Sequence, residues 1–183
     1  MKSVVIIGYM CVGKTTVGRN LALRMGRRFY DLDWYIEERF HSRVSRIFSE
    51  KGEPVFRDLE RRMLREVAAF EDIVLSCGGG TPCFADNMDY ILRNSLAVYL
   101  RATPEIITTH IKYSRLERPL LKGLSGSELD EFVRSQLRER EPYYLRAPII
   151  YDIPLLRDRH KVETVANDLQ TLITDYWNGK MEN

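Results

Sequence analysis

The sequence predicts an α/β protein in which helices cover both faces of a parallel β-sheet. Short apolar runs of strand length alternate along the chain with longer segments of helical periodicity. A glycine-rich segment, GYMCVGKTT at residues 8–16, directly follows the first apolar run. Ligands of such sheets bind beyond the carboxyl ends of the strands, so the segments that follow strands are the first places to look for a function.

The predicted elements alternate regularly along the chain. The predicted strands are residues 4–7, 29–31, 73–76, 97–100 and 149–152. The predicted helices are residues 14–25, 34–40, 54–70, 87–94, 104–112, 127–140 and 160–177. We expect them to form one domain over residues 1–177. Residues 113–127 lack clear periodicity and are predicted to be a mobile loop, and residues 178–183 are predicted to be a frayed tail.

The bulk composition is that of an ordinary globular domain. The chain has 183 residues, with 44% hydrophobic and 30% charged residues. Its formal net charge of +2 gives no reason to expect nucleic acid or a membrane as a partner, and we see no apolar stretch long enough to span a bilayer. The three cysteines form no C-x-x-C pair, so neither disulfides nor zinc are expected and a reducing cytoplasm fits best.

The segment after the first strand matches the phosphate-binding P-loop pattern G-x-x-x-x-G-K-T. Its glycines permit a backbone that turns N–H groups inward around phosphates, and the following helix adds its positive N-terminal end. Lys14 is expected to reach the β- and γ-phosphates, and the Thr15 hydroxyl is expected to bind Mg²⁺. A plain turn with an exposed lysine is the alternative. The predicted nucleotide-binding residues of this loop are Cys11, Val12, Gly13, Lys14, Thr15 and Thr16.

Two aspartates follow the second predicted strand. Asp31 and Asp33 lie on one face at its carboxyl end, beside the P-loop. One carboxylate near Mg²⁺ and one near an acceptor hydroxyl would suit phosphoryl transfer to an alcohol. Solvated loop residues, or an N-cap for the next helix, explain a D-x-D pattern at least as well. Taken alone, the pattern leaves these alternatives open.

Arginines and glycines supply further groups for an anionic acceptor. Arg57 and Glu60 share one helical face, either as a surface ion pair or as a guanidinium oriented for a carboxylate. The triplet at residues 78–80 suits close backbone approach to a ligand, or a flexible turn. Arg118 lies in the predicted mobile loop and Arg140 at the end of a long helix. Either arginine alone would most often be a solvated surface residue.

The combined motifs resemble the shikimate kinase family of P-loop kinases. The resemblance runs from residue 4 to about residue 144 and rests on GYMCVGKTT, FYDLD, GEPVFRDLE, CGGG, RPLL and REPYY in that order. It implies a three-layer α/β/α fold, a five-stranded parallel sheet of order 2-3-1-4-5, and a mobile lid at about residues 113–127. It also implies transfer of the ATP γ-phosphate to the 3-hydroxyl of shikimate, with Mg²⁺, by a cytoplasmic enzyme that we expect to be a monomer.

The resemblance also implies a role for each matching residue. Asp33 would contact the acceptor hydroxyls as the candidate base, although an ordinary aspartate, with a pKa of about 3.9, would mainly orient an alcohol. Asp31 would hold Mg²⁺ through water. The lid arginine Arg118 would close on the ATP phosphates and, with Asp33 and Lys14, form the catalytic set. The implied shikimate-binding residues are Asp33, Phe56, Arg57, Gly79, Gly80 and Arg140.

Two positions depart from the family pattern. Cys11 stands where a glycine is common, and if this position requires a positive φ, its Cβ costs of order 1 kcal/mol. We expect an altered nucleotide affinity rather than a loss of binding. The family often places an arginine against adenine in the helix before the lid. Here Lys112 is the nearest basic candidate, and its stem lacks the flat stacking surface of a guanidinium.

Two other functions remain open at this point. A gluconate or nucleoside monophosphate kinase would share the architecture, but GEPVFRDLE and CGGG fit a small carboxylated polyol better than a nucleobase. A nucleotide-switched binding protein is the alternative from a different class. The sequence has no N-K-x-D motif for guanine, and a switch has no obvious use for additional anion-binding arginines.

Overall fold

The computed structural model describes residues 2–113 and 123–179. These residues form a five-stranded sheet in the order β2-β3-β1-β4-β5, and every adjacent pair of strands is parallel. The strands are β1 (Ser3–Ile7), β2 (Arg28–Asp31), β3 (Ile73–Ser76), β4 (Ser95–Arg101) and β5 (Ile149–Asp152). The predicted α/β class and strand order are therefore confirmed.

The middle of the sheet is the centre of the hydrophobic core. In β1, Val5 pairs with Leu75 of β3 on one side and with Ala97 of β4 on the other, and all three side chains are fully buried. Because helices cover both faces, the central strands are continuous apolar runs rather than alternating ones. The edge strand β2 has no fully buried residue, which agrees with its more polar sequence.

The helices of the described residues form the two outer layers. They are α1 (Lys14–Arg24), α2 (Leu32–Phe40), α3 (Val44–Ala68), α4 (Asn87–Asn94), α5 (Pro104–Tyr113), α6 (Gly126–Tyr144) and α7 (Arg159–Trp177). Helix α1 packs against α7 and the strands β1, β2 and β3, whereas α4 packs against β4 and α3. None of the helices in the described ranges has the length and apolarity needed to cross a membrane.

The three largest departures from the predicted helix boundaries all lengthen a helix. Helix α3 begins at Val44 rather than at residue 54 and bends at Gly52, whose φ of 79° and ψ of 165° are not helical. Helix α6 continues past residue 140 to Tyr144, with Pro142 in its last turn. Helix α2 begins at Leu32, directly after β2. In each case tertiary packing extends a helix beyond what the local apolar pattern indicates.

Part of the predicted lid lies outside the described residues. Residues 114–122 belong to that part, so the structure gives no account of Arg118. Tyr113 is the last residue of α5, and α6 already begins at Gly126, so both ends of the predicted lid are helical. In the predicted tail, residues 178 and 179 are described and residues 180–183 are not.

Candidate active site

The loop between β1 and α1 has the backbone of an anion cradle. Gly8, Cys11 and Gly13 have positive φ values of 142°, 62° and 94°. Alternation of left-handed and right-handed residues turns successive N–H groups toward one side of a loop. Gly13 is the N-cap of α1 and provides no side-chain cap, so the first N–H groups of this helix are left for a ligand.

Cys11 has a positive φ of 62°, although it is not a glycine. A left-handed conformation costs a non-glycine residue about 1–2 kcal/mol, which a well-packed loop sustains. The side chain is half-buried and packs against the core, and the described cysteines are all free thiols. Cysteine therefore fits this position at a modest cost in stability.

Lys14 points into the fold rather than into solvent. Its ammonium group donates a hydrogen bond of 2.7 Å to the carbonyl oxygen of Tyr9, and the residue is only 8% exposed. This excludes the alternative of an exposed lysine on a plain turn. A buried ammonium beside a cradle of N–H groups is a strong attractor for phosphate.

Thr15 and Asp31 form a hydroxyl–carboxylate pair next to the cradle. The Thr15 hydroxyl donates a hydrogen bond of 2.7 Å to Asp31 Oδ2. The other oxygen, Oδ1, accepts the backbone N–H of Asp33 at 3.1 Å and so caps α2. The two explanations of Asp31 are therefore compatible, because one oxygen caps the helix while the other faces Thr15. Two adjacent hard oxygen donors of this kind suit Mg²⁺.

Asp33 lies beside the first glycine of the triplet. A Cβ placed on Gly78 would be 3.3 Å from Asp33 Oδ1 and 3.1 Å from Glu60 Oε1. The Asp33 carboxylate is thus held against the glycine triplet, at the meeting point of the β2 and β3 carboxyl ends. The sequence predicts an acceptor-side carboxylate at this position.

A buried ion pair orients the side chain of Arg57. Its Nη1 donates to Glu60 Oε2 at 2.8 Å and its Nε donates to Glu53 Oε1 at 3.2 Å. Glu60 is 1% exposed and also accepts the Thr81 hydroxyl at 2.6 Å. Burial lowers the pKa of Arg57, but the charges and hydrogen bonds of Glu60 and Glu53 outweigh it, so that the pKa is raised. Arg57 is therefore a fixed cation rather than a solvated surface arginine.

The glycine triplet is closely packed against its neighbours. A Cβ on Gly80 would lie 2.5 Å from Arg57 Nη2, and a Cβ on Gly79 would lie 3.1 Å from the backbone nitrogen of Met10. The triplet is thus not a free turn: it lets Arg57 and the P-loop approach the same backbone. Tyr144 at the end of α6 donates its hydroxyl to the Gly79 carbonyl and ties this segment to α6.

Arg140 reaches the same region from α6. Its Nη2 donates to Gln136 Oε1 at 2.6 Å, and its guanidinium carbon lies 5.6 Å from the centre of the Tyr9 ring. Burial raises the pKa of Cys83 to about 11, while the positive charges of Arg140 and Arg57 act in the opposite direction. Both guanidinium groups are therefore close enough to influence one thiol, just after the glycine triplet.

The P-loop and the segments that follow β2 and β3 line a common cleft of about 260 Å³. Of the residues predicted from sequence, the cleft is lined by Cys11, Gly13, Lys14, Thr15, Thr16, Asp31, Asp33 and Gly79. Val12 is fully buried and does not line the cleft. The remaining predicted substrate residues are not part of this lining: Phe56, Arg57, Gly80 and Arg140. Phe56 is 4% exposed and packs against Phe48.

Sequence reasoning missed several residues of the site. His110 lines the cleft, whereas Lys112, the basic candidate named from sequence, is exposed and does not line it. Thr81 and Glu53 hold the Arg57–Glu60 pair, and Tyr144 anchors the triplet. His110 belongs to none of the motifs, and although Tyr144 ends the segment REPYY, only the tertiary structure shows that its hydroxyl contacts Gly79.

A larger groove of about 400 Å³ lies beyond the carboxyl ends of β4 and β5. It contains none of the predicted phosphate-binding residues. Two of its arginines are already paired: Arg101 donates to Asp152 at 2.7 Å, and Arg134 pairs with Glu105. Size alone therefore does not identify the site, and the chemistry lies in the smaller cleft.

The fold and the cleft define a P-loop phosphotransferase. A buried lysine, a hydroxyl–carboxylate pair and a helix N-terminus suit a nucleoside triphosphate, and a carboxylate with oriented arginines suits a small anionic acceptor. The class alone does not identify the acceptor.

Comparison with known proteins identifies the family. A family model described as "Shikimate kinase" matches residues 10–173. A shikimate kinase of Parabacteroides distasonis is 44% identical over 173 residues, which cover 94% of this chain and 100% of the relative. The structure of a shikimate kinase from Bacteroides thetaiotaomicron has a TM-score of 0.91 and 42% identity, and covers 94% of this chain and 98% of its own. A structure described as shikimate kinase from Acinetobacter baumannii in complex with shikimate has a TM-score of 0.85 and 29% identity, over 96% and 94% of the two chains.

The chain therefore belongs to the shikimate kinase family. Its activity is that of a shikimate kinase, a step of the shikimate pathway to the aromatic amino acids. The resemblance inferred from the motifs is confirmed, and the other kinases and the nucleotide switch that were left open are not the family that matches.

Proposed function

We propose that the cleft binds Mg²⁺ and ATP on the P-loop side and shikimate on the side of the glycine triplet. Asp33 accepts a hydrogen bond from the 3-hydroxyl of shikimate, where the two substrates meet. The observation that carries this proposal is the common lining of the cleft. Lys14 and Thr15 of the P-loop line it together with Asp31, Asp33 and Gly79. The γ-phosphate of ATP and the 3-hydroxyl of shikimate can therefore meet within one cleft.

The donor half neutralises and positions the triphosphate. Lys14 exchanges its hydrogen bond to the Tyr9 carbonyl for the β- and γ-phosphates, and the backbone N–H groups from Cys11 to Thr16 surround them. The Thr15 hydroxyl and the Asp31 carboxylate would hold Mg²⁺, Asp31 through water. When bound, Mg²⁺ supplies charge neutralisation of the phosphate oxygens. Positioning and neutralisation account for most of the acceleration in phosphoryl transfer.

The acceptor side of the cleft binds the carboxylate of shikimate and orients its 3-hydroxyl. Arg57 and Arg140 bind the shikimate carboxylate, because both guanidinium groups approach the triplet and Arg57 is fixed by Glu60. The backbone at Gly79 and Gly80 and the ring of Phe56 complete the substrate site. Asp33, held against Gly78, accepts the hydrogen bond of the 3-hydroxyl and orients it toward the γ-phosphate. That a relative from A. baumannii has been solved with shikimate supports this acceptor.

Arg118 belongs to the proposed catalytic set, although it lies outside the described residues. We assign it to the phosphates of ATP in a closed lid. Closure would exclude water, which otherwise competes with the hydroxyl for the γ-phosphate.

A coupled ADP-release assay tests the proposal. Purified protein with Mg²⁺ and ATP is offered shikimate, gluconate or AMP at equal concentration. We expect turnover with shikimate and background rates with the other two. Preferential turnover of gluconate or AMP, or release of ADP that does not depend on an acceptor, would overturn the assignment.

We also propose that the protein acts as a cytoplasmic monomer. The three cysteines of the chain are free thiols, which suits a reducing compartment. Cell fractionation would test the compartment, and light scattering on the purified protein would test the monomer. A mass twice that of the 21.5 kDa chain would contradict it.

A further inference from the structure

We propose that His110 is a positioning residue for nucleotide binding: its neutral imidazole fastens the P-loop to the β5–α7 loop (residues 153–158). The proposal rests on the placement of the nucleotide at the P-loop argued above. None of the sequence motifs includes this residue, and its side chain lines the cleft.

The hydrogen bonds of His110 define a single protonation state. Its Nδ1 lies 2.9 Å from the carbonyl oxygen of Cys11, and the backbone N–H of Leu156 donates to its Nε2 at 3.0 Å. A backbone N–H only donates, so Nε2 carries no proton. A carbonyl oxygen only accepts, so Nδ1 carries the proton. The ring is therefore neutral, with the proton on Nδ1, and both of its nitrogens are engaged.

One bond of His110 holds a strained part of the P-loop. Cys11 has a positive φ of 62°, which a residue with a Cβ adopts at a cost. The orientation of its carbonyl group depends on this conformation. The His110 Nδ1–H fixes that carbonyl, and thereby helps to keep the following N–H groups turned toward the phosphate site.

The other bond places a side chain on the phosphate cradle. A Cβ built on Gly13 would lie 2.5 Å from Leu156 Cδ1, so the leucine rests directly on this glycine. Gly13 is the N-cap of α1 and immediately precedes Lys14. By holding the Leu156 backbone, His110 determines where the leucine side chain borders the cradle. The β5–α7 loop thus forms a wall of the nucleotide site, and His110 sets its position.

The bridge links parts of the chain that are far apart in sequence. His110 lies 99 residues from Cys11 and 46 residues from Leu156. A bridge that only stabilised the fold would affect both substrates alike when removed. A positioning role at the P-loop predicts a selective effect on nucleotide, because the shikimate residues lie on the side of the glycine triplet.

Three substitutions separate the two bonds of His110. His110→Asn keeps an amide N–H near the position of Nδ1, for the Cys11 carbonyl. His110→Gln extends an amide oxygen toward the position of Nε2, for the Leu156 N–H. His110→Ala removes both bonds. Thr109→Ala is the matched control on the same helix, because the Thr109 hydroxyl donates only to the Glu105 carbonyl of its own helix.

The measurements are KM for ATP, KM for shikimate, and the dissociation constant of Mg²⁺-ADP by calorimetry. We expect His110→Ala to raise KM for ATP and the ADP dissociation constant by roughly tenfold, with KM for shikimate within about twofold of wild type. His110→Asn and His110→Gln should each lose less nucleotide affinity than His110→Ala. Thr109→Ala should have the wild-type values.

Two results would overturn the proposal: unchanged nucleotide affinity in all three His110 variants, or equal losses for both substrates. If His110→Ala does not fold, the Asn and Gln variants carry the test. The ADP titration does not depend on the acceptor. It therefore tests His110 even if the protein fails to phosphorylate shikimate, which would refute the proposed function instead.

Discussion

Substitution of Gly80 by alanine tests whether the glycine triplet serves to admit Arg57. The new Cβ would lie 2.5 Å from Arg57 Nη2, 2.8 Å from Nη1 and 2.9 Å from Cζ, all too short for a non-bonded contact. The backbone itself accepts alanine, because Gly80 has a φ of −88° and a ψ of −12°. Arg57 must therefore move, while the main chain stays in place.

The expected effect falls on shikimate binding and, through the Arg57–Glu60 pair, on stability. Arg57 is one of the two arginines proposed to hold the carboxylate, and a lost charged hydrogen bond costs about 1.5–3 kcal/mol. KM for shikimate should therefore rise roughly ten- to a hundredfold, with KM for ATP nearly unchanged. The free energy of unfolding should also fall, by up to the roughly 3–5 kcal/mol that a buried carboxylate costs without its cation, because Arg57 Nη1, which the new Cβ would meet at 2.8 Å, donates to Glu60.

Steady-state kinetics with a double-mutant cycle would decide the matter. If Gly80→Ala acts by displacing Arg57, the double variant Gly80→Ala/Arg57→Ala should be no worse for shikimate than Arg57→Ala alone. Fully additive losses would refute the reasoning, since they would mean that the triplet acts on the substrate independently of Arg57. A wild-type KM for shikimate in Gly80→Ala would refute it as well.

Further predictions concern the remaining groups of the site. Arg57→Ala should weaken shikimate far more than ATP and also lower the free energy of unfolding by about 3–5 kcal/mol, because Glu60, 1% exposed, loses its cation; a thermal melt like that of the wild type would contradict this. Asp33→Asn should lower kcat by orders of magnitude with nucleotide binding intact, and near-normal turnover would remove Asp33 from its role. At pH 8 iodoacetamide should label half-buried Cys11 before Cys83, since burial raises the pKa of Cys83 to about 11 and its reactive thiolate forms only as the pH rises toward that value. Saturating Mg²⁺-ATP should slow the labelling of Cys11, and equal rates with and without nucleotide would argue against its place in the cradle. Chelation of Mg²⁺ with excess EDTA should abolish ADP release, and full activity in EDTA would contradict the assigned metal role.

The fold was largely predictable because its signals are local. Continuous apolar runs identified the buried strands, and the P-loop pattern located the first turn and helix. Helix α3 was predicted too short because the segment from Val44 to the bend at Gly52 packs as a helix without a clear apolar period. The positive φ of Cys11 was considered only as a consequence of the family pattern, since cysteine itself gives no such signal.

The donor half of the site was easier to predict than the supports of the acceptor half. Lys14 and Thr15 belong to a contiguous motif whose spacing is dictated by phosphate chemistry. The fixation of Arg57 depends on Thr81 through Glu60, and the anchoring of Gly79 depends on Tyr144. His110 joins three distant segments. Contacts of this kind follow from the fold and have no spacing in the sequence that could reveal them.

A crystal structure with shikimate and ADP bound would test the central claim most directly. The account predicts the shikimate carboxylate within hydrogen-bond distance of both Arg57 and Arg140, the 3-hydroxyl at Asp33, and the ADP phosphates in the loop before Lys14. A carboxylate bound away from these arginines, or a 3-hydroxyl directed away from Asp33, would contradict the account.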